Sequence, residues 1–162
     1  MKNAHLIQCL MAAALSILWA VDAPIVLAQR APERACTIGI VEPRPGESVG
    51  AGALVLGTAK IPAGGFLWVF ARRKGLSTWW PQGGGSAKVD EDGKWAVYTS
   101  LGEAKDAGSL FEVSALVVDQ RSNESLDEWF RRAERSGTFP GIRLPTPVEG
   151  CAAVTVQVER GK

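Results

Sequence analysis

The sequence predicts an all-β protein, an antiparallel two-sheet sandwich of about seven strands with one short amphipathic helix. Three observations favour this fold. Short runs rich in Val, Ile and aromatic residues alternate with turn signals about every 8–12 residues, a spacing typical of sandwiches. Four of the six tryptophans lie within residues 66–95, which indicates a large aromatic core. Only one segment, residues 125–136, has the periodicity of an amphipathic helix.

The first 28 residues have the pattern of a signal peptide. Lys2 supplies a short positive region, residues 6–21 are apolar, and cleavage is expected after Ala28. The alternative is an uncleaved anchor helix, but the apolar run is short for a bilayer core of about 30 Å and Asp22 interrupts its extension. The sequence therefore predicts a secreted or periplasmic protein with no membrane span after cleavage.

The exported part divides into a flexible lead-in, residues 29–35, and one domain, residues 36–160. The formal net charge of the full sequence is +1. A net charge this small does not produce the strong positive field that nucleic-acid binders and polybasic membrane binders have. We therefore expect neither a nucleic acid nor a membrane surface as partner.

Two cysteines remain after cleavage, Cys36 at the start of the domain and Cys151 near its end. An even pair in an oxidising compartment predicts one disulfide, which would tie the first strand to the last. The alternative is two free thiols or a redox pair, but the chain has no C-x-x-C motif.

Hydrophobic patterning places the strands. The central one is residues 66–71, which is apolar on both faces and is therefore expected to be paired on both edges and covered above and below. The other predicted strands are residues 36–42, 53–59, 77–81, 94–100, 110–119 and 151–159.

The helix prediction rests on a capping box and an apolar stripe. Ser125 and Glu128 have the spacing at which each satisfies the other's backbone donor. Gly137 is placed to end the helix. The stripe consists of Leu126, Trp129, Phe130 and Ala133. We expect this helix to cross between the sheet edges and to lay its aromatic residues over an open end of the core.

Three motifs give the chain a resemblance to a known family. Residues 43–49 fit P-x-x-G-x-x-V, residues 57–62 fit G-x-A-x-x-P, and residues 92–95 fit D-G-x-W. This order resembles the immunoglobulin-like modules of bacterial exported proteins. The resemblance implies an immunoglobulin-like sandwich that serves in adhesion, ligand binding or spacing between domains, with no single shared activity.

Several kinds of catalysis are excluded by composition. The single histidine, His5, lies in the signal segment, so the domain lacks His-based catalytic triads and imidazole metal sites. Carboxylates cluster at residues 90–92 and 127–128, but neighbours in a turn or a first helical turn do not form a glycosidase pair. Residues 90–93 resemble the start of a calcium loop and lack its later ligands. We predict no enzyme activity, no metal and no cofactor.

One group of residues has the chemistry of a binding face. Arginine and amide donors beside tryptophan rings suit the stacking of sugars or the holding of anionic groups. The group consists of Arg72, Arg73, Lys74, Trp79, Trp80 and Gln82. Because adjacent strand residues point to opposite faces, one of the two tryptophans is expected to be exposed. The alternative is that both pack, one in the core and one beneath the arginine stems.

Two functions remain open from the sequence. The first is a non-catalytic binding module for a saccharide, peptide or protein at the face formed by residues 72–82. The second is a structural or accessory subunit of a bacterial envelope assembly.

Overall fold

The computed structural model describes residues 36–162. The predictions of a signal peptide over residues 1–28 and of a lead-in over residues 29–35 lie outside the described residues. The elements in order are β1 (Thr37–Glu42), β2 (Ser48–Val49), β3 (Gly52–Lys60), β4 (Phe66–Arg73), β5 (Trp80–Pro81), β6 (Lys94–Ser100), a 3-10 turn (Ala104–Asp106), β7 (Leu110–Val118), α1 (Gln120–Ser136) and β8 (Val154–Arg160). Within residues 36–162, no helix is long and apolar enough to cross a membrane.

The strands form two sheets. One has three strands in the order β1-β3-β6, and the other has five in the order β2-β8-β7-β4-β5. Buried side chains from both sheets meet in one apolar cluster between them, among them Val55 and Trp95 from the first and Val69 and Val113 from the second. The predicted β-rich architecture with antiparallel sheets is thus confirmed. The purely antiparallel pairing is wrong at one point, because the short β2 runs parallel to β8 and makes the larger sheet mixed.

Strand β4 has the central position that its sequence predicts. It pairs with β7 on one side and with β5 on the other. Leu67 and Val69 pack into the cluster between the sheets, whereas Trp68 and Phe70 pack into a second cluster on the opposite side of the sheet. All four side chains are at most 1% exposed, because both faces of this strand are covered.

The helix begins earlier than predicted. Asp119 is its N-cap and accepts a hydrogen bond from the Ser122 amide at 2.8 Å. Ser125, the predicted cap, lies inside the helix, where its hydroxyl donates to the Arg121 carbonyl. The expected end is confirmed, since Gly137 adopts the left-handed conformation with φ of 67°.

The position of α1 also differs from the prediction. Its apolar stripe lies on the face of the five-stranded sheet that points away from the three-stranded sheet, rather than over an open end of the core. Trp68 stacks on Phe130 with ring centres 5.9 Å apart. The Trp68 indole also donates to the Asn123 side chain at 2.9 Å. The domain therefore has three layers: the smaller sheet, the larger sheet and the helix.

The predicted disulfide is confirmed. Cys36 and Cys151 are bonded, with Cα atoms 5.1 Å apart and a sequence separation of 115. One cysteine directly precedes β1 and the other lies three residues before β8. The bond therefore joins the residue before the first strand to the segment before the last strand.

Candidate functional site

Arg72 is held by three contacts at the end of β4. Its Nε donates to the Glu112 carboxylate in an ion pair, and its Nη1 donates to the Leu76 carbonyl at 2.9 Å. Its guanidinium carbon lies 4.2 Å from the ring centre of Trp79. Since the guanidinium already has a carboxylate, a carbonyl and a ring as partners, it serves first as a fixed part of the protein.

Trp79 and Trp80 lie on opposite sides of the sheet. Trp79 is 6% exposed and belongs to the cluster under the helix, beneath Arg72. Trp80 pairs with Ala71, which points into the space between the sheets. Trp79 is therefore packed beneath an arginine, as in the alternative in which both rings pack. Trp80 is the tryptophan with accessible surface.

Trp80 is less exposed than the sequence predicts. It is half-buried, and its indole nitrogen donates to the Phe139 carbonyl at 2.9 Å. The chain after the helix passes over this edge, because Trp79 and Ile142 exchange backbone hydrogen bonds of 2.7 and 2.8 Å. The predicted edge strand is covered in this way, which leaves one part of the Trp80 ring accessible.

The three consecutive cations have separate partners. Arg73 donates to the Asp106 carboxylate at 3.1 Å. Lys74 donates to the Gln157 amide oxygen at 2.6 Å, and it does not line the cavity described below. Strand alternation accounts for this separation, because it sends Arg72 toward the helix side and Arg73 toward the space between the sheets.

Gln82 has both ends of its amide engaged within the protein. It is 8% exposed, its Nε2 donates to the Trp80 carbonyl, and its Oε1 accepts from the Ser100 amide at 2.8 Å. Its backbone amide donates to the Val69 carbonyl. This residue links the edges of the two sheets and so fixes the wall beside Trp80.

An open cavity of about 880 Å³ lies at this edge of the sandwich. Its lining includes four of the predicted residues, namely Arg72, Arg73, Trp80 and Gln82. The aromatic residues that join Trp80 around it are Tyr98, Phe111, Phe139, Trp129 and Phe130. A concave, mostly apolar surface with a few polar groups is the usual form of a ligand site.

Asp106 is a buried charged residue in the lining of the cavity. Its pKa lies below its ordinary value, first because the Glu103 amide donates to its carboxylate at 2.8 Å and then because Arg73 lies beside it. Lys105 pairs with Glu103 at 2.9 Å, and this hydrogen bond raises the pKa of Lys105. The lining therefore includes paired charges of both signs, which suits a polar ligand of low net charge.

Sequence reasoning missed Asp106, Phe111, Tyr98 and Phe139 as parts of this site. Tyr98 carried a signal, since it is a large aromatic residue on the outer face of its strand and is 62% exposed. Asp106 and Phe139 lie in segments without strand or helix periodicity, far in sequence from residues 72–82.

The carboxylate clusters lie elsewhere and have structural partners. Asp90 accepts from the Lys94 amide at 2.6 Å and Asp92 pairs with the Lys94 ammonium, so both shape the turn before β6. Glu128 pairs with arginines on the exposed side of α1. Among the described residues, no group of three or more His, Cys, Asp or Glu could hold a metal ion.

The sequence matches no protein-family model and no curated protein. The function is therefore inferred from the geometry of the site.

Proposed function

We propose that this protein is an exported, non-catalytic binding module of immunoglobulin-like build. The observation that carries the proposal is the cavity of about 880 Å³, whose lining includes the half-buried Trp80 and the Arg73–Asp106 pair. The indole offers an apolar face for stacking, and the charged pair offers polar groups in the same lining.

Binding fits this site better than catalysis. The described residues contain no histidine, and the one buried carboxylate of the lining, Asp106, has a lowered pKa. A general acid or base working near neutral pH requires the opposite shift of a carboxyl group. A carboxylate that stays ionised and paired with Arg73 serves to orient a ligand.

Two further features support export and the immunoglobulin-like build. A disulfide between Cys36 and Cys151 is typical of proteins that fold in an oxidising compartment, and the predicted signal peptide precedes it. The three motifs of the resemblance cover the turn into β2 with β2 itself, the end of β3 with the turn after it, and the turn into β6 with its first two residues. The helix between β7 and β8 is an addition to a plain immunoglobulin pattern.

The test is ligand capture by the exported protein and its Trp80→Ala variant on a glycan array and in pull-downs with envelope extracts and secreted proteins. The half-buried ring makes this substitution cost about 2 kcal/mol of stability, so folding is checked by near-ultraviolet circular dichroism. We expect loss of capture by Trp80→Ala and by the milder Arg73→Gln. Val41→Ala, at a residue 55% exposed and away from the cavity, should bind normally. Unchanged capture by both cavity variants would refute the proposal.

A second candidate function is an accessory subunit of a bacterial envelope assembly. The observation that favours it is the outer face of the three-stranded sheet, where Leu54 pairs with Tyr98 and both are more than half exposed. Such apolar surface is typical of contacts between proteins. A Leu54→Glu variant that loses a partner while Trp80→Ala retains it would favour this second function.

A further inference from the structure

The backbone hydrogen-bonding groups of strand β6 point alternately toward β3 and away from it. The Lys94 amide and carbonyl both bond to Asp90, on the side away from β3, and the Ser100 amide bonds to the Gln82 side chain on that same side. The Leu101 amide, in contrast, bonds to Ala51, which directly precedes β3. Antiparallel pairing alternates these directions along a strand. Every second residue from Lys94 therefore turns its backbone amide and carbonyl away from β3.

Ala96 and Tyr98 are the residues in the middle of this series. Their partners in β3 are Leu56 and Leu54, so both form the pairs that exchange no backbone hydrogen bonds with β3. Strand β6 is at the edge of its sheet, and no described residue pairs with the outward amides and carbonyls of Ala96 and Tyr98. Both residues are exposed. Two donors and two acceptors thus form a row along this edge, between the bonds of Lys94 to Asp90 and of Ser100 to Gln82.

This edge lacks the features that protect most edge strands. It contains no proline and only one charged residue, Lys94, at its beginning. The other edge of the same sheet, β1, is interrupted by a bulge between Ile40 and Glu42 and is followed directly by Pro43. The β1 strand also contributes no residue to the cavity.

The cavity opens beside the free edge of β6. Tyr98 and Ser100 line it, and so do Gly83 and Gly84. Gly83 lies so close to Val97 that a Cβ atom would be 2.8 Å from its methyl group. A strand laid along β6 would send alternate side chains toward the side of Val97, the side on which Gly83 packs and lines the cavity together with Trp80.

We propose that the ligand of this module is an extended peptide segment of another protein, which adds to β6 as a fourth strand and places one apolar side chain in the cavity. This inference rests on the proposed function and names its ligand class. The backbone of a peptide supplies alternating carbonyls and amides as partners for the outward amides and carbonyls of Ala96 and Tyr98. The cavity then selects among the side chains of the peptide. A saccharide has no such repeating pair of groups to match the edge.

The experiment selects from a displayed library of random linear peptides, about a dozen residues long, against the disulfide-bonded exported protein. Binding of the enriched peptides is then measured for Ala96→Pro and Ala96→Thr. Proline removes an amide that faces away from β3, a position at which an edge strand tolerates it, whereas threonine keeps the amide and favours a strand. We expect Ala96→Pro to weaken binding about tenfold or more and Ala96→Thr to stay within about twofold.

Amide hydrogen exchange of the unmodified protein gives a second measurement that does not depend on the folding of a variant. The Ala96 and Tyr98 amides should exchange rapidly in the free protein and slow down when the peptide binds. The intervening Val97 amide should be protected in both states. Failure to enrich any peptide, binding that Ala96→Pro leaves unchanged, or no added protection would overturn the proposal. If protection of the Ala96 and Tyr98 amides rises with protein concentration in the absence of peptide, the added strand comes from a second copy of the chain and the peptide proposal is wrong.

These results separate the two proposals. If Trp80→Ala abolishes capture of a ligand while Ala96→Pro does not, the cavity remains a binding site and strand addition is wrong. If Ala96→Pro abolishes capture while Trp80→Ala and Arg73→Gln do not, the cavity is not the binding site.

Discussion

The hydrogen bond between Trp68 and Asn123 provides a direct test of where the helix lies. The indole nitrogen donates to Asn123 at 2.9 Å, Trp68 is 0% exposed and Asn123 is 7% exposed. Asn123→Ala leaves the buried indole donor without an acceptor. Trp68→Phe leaves the buried amide oxygen without a donor and also removes apolar area.

The expected magnitudes follow from the cost of an unsatisfied buried group, about 1–3 kcal/mol. We expect Asn123→Ala to lower the free energy of unfolding by about 2 kcal/mol and Trp68→Phe by about 2–3 kcal/mol, the excess being lost burial. The double variant leaves neither group orphaned. It should therefore lose about 1–2 kcal/mol less than the sum of the two single variants.

The assay is urea unfolding followed by circular dichroism, with Arg121→Ala as the control. Arg121 is exposed on the same helix and only its backbone carbonyl bonds to another described residue, so this substitution should change stability by less than about 0.5 kcal/mol. If the effects at Trp68 and Asn123 add to within about 0.3 kcal/mol, the two side chains are not coupled. The placement of α1 on the outer face of the larger sheet would then be refuted.

Three further predictions concern other parts of the domain. Replacing Cys36 and Cys151 by serine should lower the free energy of unfolding by about 5 kcal/mol for a loop of this length, and two freely alkylated cysteines in the folded protein would contradict the bond. Gly57→Ala should cost more than about 2 kcal/mol in urea unfolding, because its Cβ would overlap the Trp95 ring; a wild-type midpoint would show that the ring lies elsewhere. Since folding lowers the pKa of Asp106, its carboxylate stabilises the fold above its ordinary pKa of 3.8 and loses this effect as the pH falls through the lower folded value. Asp106→Asn should therefore lower the urea midpoint near about pH 6, and the difference from wild type should shrink toward about pH 2; a pH-independent difference would contradict this.

The position of strand β4 could be predicted because its sequence alone determines it. Trp68 and Phe70 alternate with Leu67 and Val69, and a strand with two apolar faces requires cover on both. The same pattern also indicated where the helix packs, because a further element had to cover Trp68 and Phe70. The helix start was missed because Asp119 caps a first turn of polar residues, whereas Ser125 and Glu128 imitate a capping box within the helix.

The candidate site could be predicted only in part. Alternation correctly separates Trp79 from Trp80, but the identity of the accessible ring depends on the chain at Phe139, which crosses the edge from a distant part of the sequence. The partners of Arg72 and Arg73 are likewise distant in sequence, Glu112 on β7 and Asp106 in the 3-10 turn. Local patterns identify which face a residue takes, whereas the pairing of charges depends on how the sheets meet.

The placement of the disulfide determines how this domain would respond to mechanical force. Tension applied to the chain before Cys36 and after β8 passes through the sulfur bridge and bypasses residues 37–150, which form a covalently closed loop. Only the segment from Cys151 to the end of β8 would bear load. That strand is held between β7 and β2, so it would have to shear from two neighbours at once. Even complete release of this segment would lengthen the molecule by only about 3.5 Å per residue over a short stretch. The domain would behave as a nearly inextensible link in any chain of which it forms a part.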